Sequence, residues 1–586
     1  MSVHFSPCYF FVDEGMDYLE FDYEDYDDTE EEDFEEASED EDEGEDDGED
    51  ETDSEDEDDA EEESEDSEDE ESEDSDDECE ELGIPTAKRR KLANEEALKL
   101  SLSSGLYPQY LGIEGPFMPR DPTSFDALDF LKLMWPEALC ELIVVETNRY
   151  AAQKKAKNWV DIDIDELWAF MGITTAMSIH RLPEIRNYWS RDDFLRVECI
   201  KRRMTVNRFF AIRSYLHVVD NSLLSPRDGL SKKIEPIIKT LEETFFHNYS
   251  PAQELCCDEA MCKCKGHVVG IVVMPKKPIR KGFKIWCCCC ACCGYLCSFR
   301  LYEGKPIDPI TGKRVPEKGL IKKVVKDLLS LFTGLNHVVY CDNYYTSGPL
   351  VEELVKDKIY LAGTIQQRAA GFPDSLKKIK LSKGSYATDI VGDVRYFVFH
   401  DRKVVSFVTN VFPAHMKGKV ARVQPGGALR YQSVPPVLPA YNKFMGGVDR
   451  LSQLRKSYGY DRKAKRYWLR CFFQLWDYAI TNAYILYKHN CKHFRIAEKK
   501  QQSQLDFRLE LVQLLLKETR GRNRSSSSSS TGPVCSLQSV AAIGLSRGRC
   551  HHCLRMNRRP VPHTSFGCAS CKVRLCKTQC FTDYHL

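Results

Sequence analysis

The sequence predicts a mixed α/β protein: a helical N-terminal domain, a core in the strand order of a ribonuclease-H-like fold with a β-rich insertion, and a terminal Cys/His module. Three observations carry that expectation. Apolar residues recur every three or four positions from about residue 123 to 250, the period shortens to that of strands between 255 and 302, and the chain then runs helix, strand, helix, strand to residue 364. At 586 residues and 42% hydrophobic content, the chain can form several domains around a sizeable core.

The elements follow in order. Residues 13–81 are an Asp, Glu and Ser tract with almost no apolar content after Phe34, which cannot offset its chain entropy by burial and is expected to be disordered. Lys88, Arg89, Arg90 and Lys91 then form a basic cluster in a polar linker after Pro85, of the kind read in nuclear import, and the acidic region with this cluster is taken as residues 1–104. Residues 105–250 read as a helical domain. Asp121 and Ser124 offer N-cap oxygens to its first helix, whose stripe is Phe125, Leu128, Phe130, Leu131, Met134 and Trp135, and further helices fall at 139–150, 163–179 and 205–216. Arg202, Arg203, Arg208 and Arg213 are candidates for a phosphate-binding face.

The core is expected over 251–365 and 441–500. Strands are placed at 255–258, 283–290, 295–302, 338–341 and 359–364, with helices at 318–332 and 349–356 between the later ones. In this order the first and fourth strands lie side by side. Residues 366–440 form a strand-rich insertion with a hairpin at 394–409, and a helix at 467–489 closes the core. A helix at 505–517 and the serines 525–530 make a linker region, 501–545, before the Cys-rich module of 546–586.

Charge narrows the function. The net charge of −13 hides two opposed regions: residues 1–81 hold 48 of the 93 acidic side chains and no Lys or Arg, so the remainder carries 80 basic against 45 acidic groups. An excess near +35 points to a polyanion, and nucleic acid is the expected partner. No apolar run is long enough for a membrane helix, so no membrane partner is expected, and the N-terminus lacks the basic region of a secretory signal.

Three carboxylates stand out. Asp342 ends the strand 338–341, Asp258 follows the strand-like LCC of 255–257, and Asp449 sits after Gly446-Gly447 and before a long helical pattern. Each alone reads as a turn or cap residue. Together, two strand-end acids and a helical one are suited to gripping two Mg²⁺ ions about 3.5 to 4 Å apart for in-line attack on phosphodiesters. Glu259 adjoins the set and is read as a structural neighbour.

Cysteines gather in two places. Eleven of the 25 lie between Cys256 and Cys297, where a soft-metal or redox cluster competes with plain burial as small apolar residues; adjacent Cys on a strand face opposite ways, which favours burial. At the C-terminus Cys550 and Cys553, Cys568 and Cys571, then Cys576, Cys580 and His585 form a strong zinc pattern for one or two Zn²⁺. Seven ligands fall one short of two sites, and His551, His552 or His563 can supply the eighth.

Four stretches, CDEAM at 257–261, KPIRKGFKIW at 277–286, YCDNYYTS at 340–347 and YNKFMGGVDRLSQLRKSY at 441–458, together with the terminal module, resemble the piggyBac transposase family over about residues 120–586. The resemblance implies a DDE/D ribonuclease-H-like core carrying Asp258, Asp342 and Asp449 as the catalytic, Mg²⁺-binding acids, and makes the helical domain of 105–250 a dimerisation or DNA-binding domain. It further implies a homodimer that performs cut-and-paste transposition of double-stranded DNA, by phosphodiester hydrolysis and transesterification through hairpin intermediates, at TTAA targets. The module resembles a cross-brace finger for transposon ends, with Arg555, Arg558 and Arg559 placed to meet phosphate; a protein-interaction finger of RING or PHD type competes. Some members have a further Asp three residues after the third acid, where this chain has Ser452. The alternative is a domesticated, non-cutting nuclear protein that binds DNA or chromatin, with the acidic tail engaging basic partners such as histones.

Overall fold

The computed structural model describes residues 86–517, except 104, 226–227, 267, 269, 276, 306–314, 316, 425–426 and 465, and residues 537–580, except 543, 556–560, 570–571 and 577–579. The acidic tract, the serine linker, Arg520, Arg522, Arg524, Arg558, Arg559, Cys571 and His585 lie outside them.

The first described helix, α1 (Thr86–Leu102), corrects the expectation of a linker, since Lys88 to Lys91 sit on its first turns. Its hydrophobic pattern is too weak to announce a helix. What holds it is tertiary: Leu98 and Leu102 pack on the core, and Asn94 Oδ1 accepts the Ala421 N–H at 2.9 Å. The next helix, α2 (Ala127–Met134), is capped by Asp126 rather than by Asp121 or Ser124. Asp126 accepts from the Leu128 and Asp129 amides while the Asp129 side chain returns to the Asp126 N–H; Asp121 instead closes a turn with Thr123. Only Asp126 has a carboxylate three residues on to complete that reciprocal box.

Helices α3 (Glu137–Gln153), α4 (Ile164–Ile179), α5 (Glu198–Arg203), α6 (Val206–Tyr215) and α7 (Glu235–Asn248) complete the N-terminal half. The arginines proposed for phosphate are mostly struts within it. Arg203 bonds Asp165 at 2.5 Å, Arg208 clasps Glu166 with two nitrogens and lies over the Trp159 ring, and Arg213 reaches the Lys463 carbonyl, which leaves Arg202 as the most exposed of the four. Sequence shows the four cations but not the acids that fold against them.

The sheet combines β1 (Glu254–Lys263), β2 (Ile271–Val273), β3 (Lys281–Cys290), β4 (Leu296–Leu301), β5 (His337–Cys341), β6 (Ile359–Thr364), β7 (Tyr386–Val391), β8 (Val394–His400) and β9 (Val404–Thr409). Their order is β2-β3-β1-β5-β6-β9-β8-β7, with β4 also on the outer edge of β3. β1, β5 and β6 run parallel, and β3 and β4 antiparallel to their neighbours, so the first and fourth anticipated strands do pair. The hairpin of the insertion joins this same sheet through β9 against β6, and a separate hairpin, β10 (Gly418–Val423) with β11 (Leu429–Val434), follows.

Helix α8 (Leu320–Leu329) covers one face, where Ser298 Oγ–H donates to the Leu328 carbonyl at 2.6 Å, and α9 (Gly348–Lys356) connects β5 to β6. On the other face lie α10 (Val437–Phe444), α11 (Gly447–Lys456) and the 27-residue α12 (Tyr467–His493), with α13 (Gln504–Leu516) behind. α12 is the spine between the halves. Its Trp476 stands edge-on to Trp135 with centroids 5.1 Å apart and donates Nε1–H to Thr175 Oγ1 at 3.0 Å, so the indole is buried with its polar atom satisfied. Truncating such a residue to Ala costs roughly 3–5 kcal/mol.

Candidate active site

β1 is longer than its sequence suggests, and that sets the site. It was expected to stop at Asp258; it continues to Lys263, which puts Asp258 in mid-strand beside Cys287 of β3. The acidic pair does not break the strand because the second charge is matched. Glu259, on the opposite face from Asp258, accepts the Tyr345 hydroxyl at 2.6 Å and lies 3.1 Å from Lys277 Nζ and 4.0 Å from Lys284 Nζ.

The parallel register pairs Cys257 with Cys341, so the next residues, Asp258 and Asp342, stand at adjacent positions where β5 ends and β1 runs on. Asp342 Oδ1 accepts the Tyr344 N–H at 2.9 Å, which holds the turn after β5. Asp449 arrives from α11, within its first turn rather than ahead of the helix, where the helix dipole favours an acid. Gly447 permits the approach: a Cβ there would lie 2.8 Å from Cys256 Cβ and 3.2 Å from Ala291 Cα. Cys256 shares its strand face with Asp258, and its thiol donates to the Met445 carbonyl at 2.7 Å. The start of α11 therefore sits on the Asp258 face. Lys277 links the group: its Nζ is 3.8 Å from Asp258 Oδ1, and although burial opposes its charge, Asp258, Glu259 and Asp449 together raise its pKa above the usual lysine range.

Neighbouring acids are driven in opposite directions. Burial, then the charge of Glu259, pushes Asp258 up to about 7, with Lys277 opposing. Burial also raises Asp342, whereas for Glu259 the burial cost is outweighed by Lys284, the Tyr345 hydrogen bond and Lys277, which hold it below the carboxylate range. Lys284 is itself lowered by burial and stacks its Nζ 4.2 Å from the Tyr344 ring centre. The donors are hard oxygens, and the two strand acids are destabilised as anions, a condition that a bound dication relieves. Asp258 and Asp342 suit a hard divalent ion, and Asp449 stands on the helix turn packed against the same face.

Lys277, Lys284 and Tyr345 escaped the sequence reading as site residues. A signal existed for Lys284: it is a buried charge inside a ten-residue strand, KGFKIWCCCC, whose other charge, Lys281, sits at the half-exposed first position, and only a buried partner makes Lys284 tolerable.

The cysteines divide. Cys550, Cys553, Cys576 and Cys580 bring their sulfurs within 4.8 Å of one another, a four-thiol set fit for tetrahedral Zn²⁺. Cys568 is not in that set; it packs with Val573 and Leu575 in a separate small core. The first CxxC meets Cys576 and Cys580, while Cys568 stands apart. Of the eighth-ligand candidates, His551 and His552 are buried and His563 is exposed. Among the described residues no other group of three or more potential ligands comes within 4.8 Å of one another: the run from Cys256 to Cys297 forms no metal cluster, and Asp258, Asp342 and Asp449 do not all close to that distance.

A family model described as Transposase IS4 matches residues 126–484. PiggyBac transposable element-derived protein 3 of Homo sapiens is 26% identical over 482 residues, covering 80% of this chain and 76% of that protein. PiggyBac transposable element-derived protein 5 of Homo sapiens is 25% identical over 399 residues, 65% of this chain and 74% of that one. The fold is similar to that in a cryo-EM structure of the piggyBac transposase synaptic complex with hairpin DNA, with a TM-score of 0.58 and 23% identity over 69% of this chain and 83% of that one.

Proposed function

This chain belongs to the piggyBac transposase family, and on that premise we propose that it is a nuclear, homodimeric DNA transposase that cuts and joins double-stranded DNA at TTAA targets. The observation that carries the reading is the adjacency of Asp258 and Asp342 on paired strands, with Lys277 at Asp258 and under the charge of Asp449 from the α11 turn packed on the Asp258 face. The strand order β4-β3-β1-β5-β6 supports a ribonuclease-H-like core beneath them.

In this reading Asp258, Asp342 and Asp449 would hold two Mg²⁺, which would supply Lewis acidity for the attack of water or a 3′-hydroxyl and for the departure of the leaving oxygen. The rest is the chain's own work. Asp342 is aimed by the Tyr344 amide, and Glu259 anchors Lys277 and Lys284 beside the acids, where an ammonium is placed to meet a phosphate oxygen. The Cys550, Cys553, Cys576 and Cys580 site holds zinc and orders a finger that binds transposon ends; Cys568, Cys571 and His585 contribute to a second zinc.

The test is nicking of the element's own terminal repeats in Mg²⁺ by the chain and by Asp342→Asn. Nicking is expected from the former only, at equal DNA binding. Equal binding with no cut from either establishes the second reading, a domesticated DNA- or chromatin-binding protein, which Ser452 and the cysteines around Asp258 favour.

A further inference from the structure

The turn that follows β3 carries chemistry that the catalytic reading does not use. Cys290 ends the strand, fully buried; Cys292 is exposed and Cys293 half-buried. The Cys290 sulfur accepts hydrogen bonds from the Cys292 and Cys293 thiols, which holds it well below the usual thiol range. Cys293 is engaged elsewhere as well: its sulfur is 3.3 Å from the Tyr249 hydroxyl, itself 3.1 Å from His489 Nε2. Cys292 faces solvent, with Glu254 Oε2 3.9 Å away as its other contact.

The same turn is the seat of α11. Arg450, next to Asp449, donates to the carbonyls of Ala291 and Cys292 at 2.7 and 3.1 Å. Gly294, at φ +81°, closes the turn by bonding its N–H to the Cys290 carbonyl at 2.9 Å, and a Cβ on it would lie 3.2 Å from Leu451 N. Gly447 meets Ala291 from the other side. Any change in the 290–293 backbone is therefore passed to the helix that carries Asp449.

We propose that Cys290 and Cys292 form an oxidisable dithiol in which a hydroperoxide acts on exposed Cys292, Cys290 closes the disulfide, and the rearranged turn releases Arg450 and displaces Asp449. The hydrogen bond to Cys290 holds the Cys292 thiol above its usual range; passing that proton to the Cys290 sulfur, Cys292 attacks the peroxide as a thiolate, giving the sulfenic acid and an alkoxide or hydroxide that solvent protonates. The Cys290 sulfur then attacks that sulfur; the S–S bond forms, the S–O bond breaks, and hydroxide leaves as water with the proton from the thiol. Two thiols are oxidised by two electrons and the peroxide O–O bond is reduced. Drawing the Cys292 sulfur inward to Cβ–Cβ bonding distance turns the 291 and 292 carbonyls off Arg450. The effect on catalysis rests on the transposase reading above; the disulfide and the displacement do not.

The experiment treats the full chain with hydrogen peroxide, alkylates it and fragments the 285–300 peptide in a mass spectrometer. The expected result is loss of two alkylatable thiols, assigned to Cys290 and Cys292, restored by dithiothreitol and absent in Cys292→Ser. Hydrogen exchange over 447–456 should rise at least about threefold on oxidation, and Mn²⁺ affinity measured by spin resonance should fall about tenfold, in the wild type and not in C292S. Cys292 ending as sulfinic acid with Cys290 still alkylatable overturns the proposal, as does a disulfide that leaves exchange unchanged. If the reduced protein binds no Mn²⁺, the catalytic reading fails, and thiol mapping with exchange still decides the switch.

Discussion

Two regions of this molecule are rich in cysteine, and they use it in opposite ways. In the sheet, Cys256 lies opposite Cys289, and Cys257 opposite Cys288 on one side and beside Cys341 on the other, all fully buried. Rungs of adjacent strands are about 4.8 Å apart in a row, so three thiols align across β3, β1 and β5 and no tetrahedron can close. In the terminal module no strand carries the four residues: Cys553 is on the short helix His551–Arg555, Cys550 and Cys576 are on irregular backbone, and the four sulfurs gather in one place. A count of cysteines therefore says little. The backbone that presents them decides whether they pack as small apolar groups or act as ligands.

The contrast can be broken first at the finger. Removing metal with a strong chelator, or replacing Cys553 by Ser, is expected to unfold residues 537–580, since structural zinc contributes about 10–16 kcal/mol in such modules. Protease resistance of that segment and zinc release to a colorimetric dye are the measurements, and neither should respond to substitution of any sheet cysteine. Retention of zinc by Cys553→Ser would refute the four-thiol site.

Acid should weaken the body by another route. Burial pushes His337 and His489 down to about 4, so the folded protein resists protons that the unfolded chain binds below about 6.5. Their contribution is fully present above that pH and is lost as pH falls towards 4. At pH 5 each is expected to cost up to about 2 kcal/mol relative to pH 7, read as a lower urea midpoint for the body. A midpoint that rises with acid would contradict the burial of both rings.

The smallest effects belong to single thiols of the sheet. Cys288→Ala should cost about 1–2 kcal/mol by leaving a small void between Cys257 and α8, with no loss of metal, and exposed Cys292→Ser should change stability by less than about 0.5 kcal/mol. Zinc stoichiometry unchanged in both variants, alongside a denaturation shift in the first alone, would sharpen the division between the two regions.

Periodicity and spacing located most of this fold. The strand at 359–364 coincides with β6, the pairing of the first and fourth strands was implied by element order, and the CxxC at 550–553 with Cys576 and Cys580 anticipated the four-thiol cluster, though Cys568 of the second CxxC lies outside it. Local signals misplaced what depends on partners. Asp258 looked like a strand end because an Asp-Glu pair ordinarily stops a strand, and nothing local shows that Lys277, Lys284 and Tyr345 will meet Glu259. Helix α1 was missed for the same reason, since its stability comes from what it packs against.

The sequence by itself determined the chemical inventory: three separated acids, a basic body behind an acidic tract, and cysteines in two distinct spacings. Only the tertiary structure decided which charges neutralise each other and which remain to act. Arg203 and Arg208 were spent on Asp165 and Glu166, while Asp258 was left buried and poised near neutrality. The physical reason is that chain composition specifies charge, but the energy of a charge depends on its burial and on its nearest opposite, and both are set by residues distant in sequence.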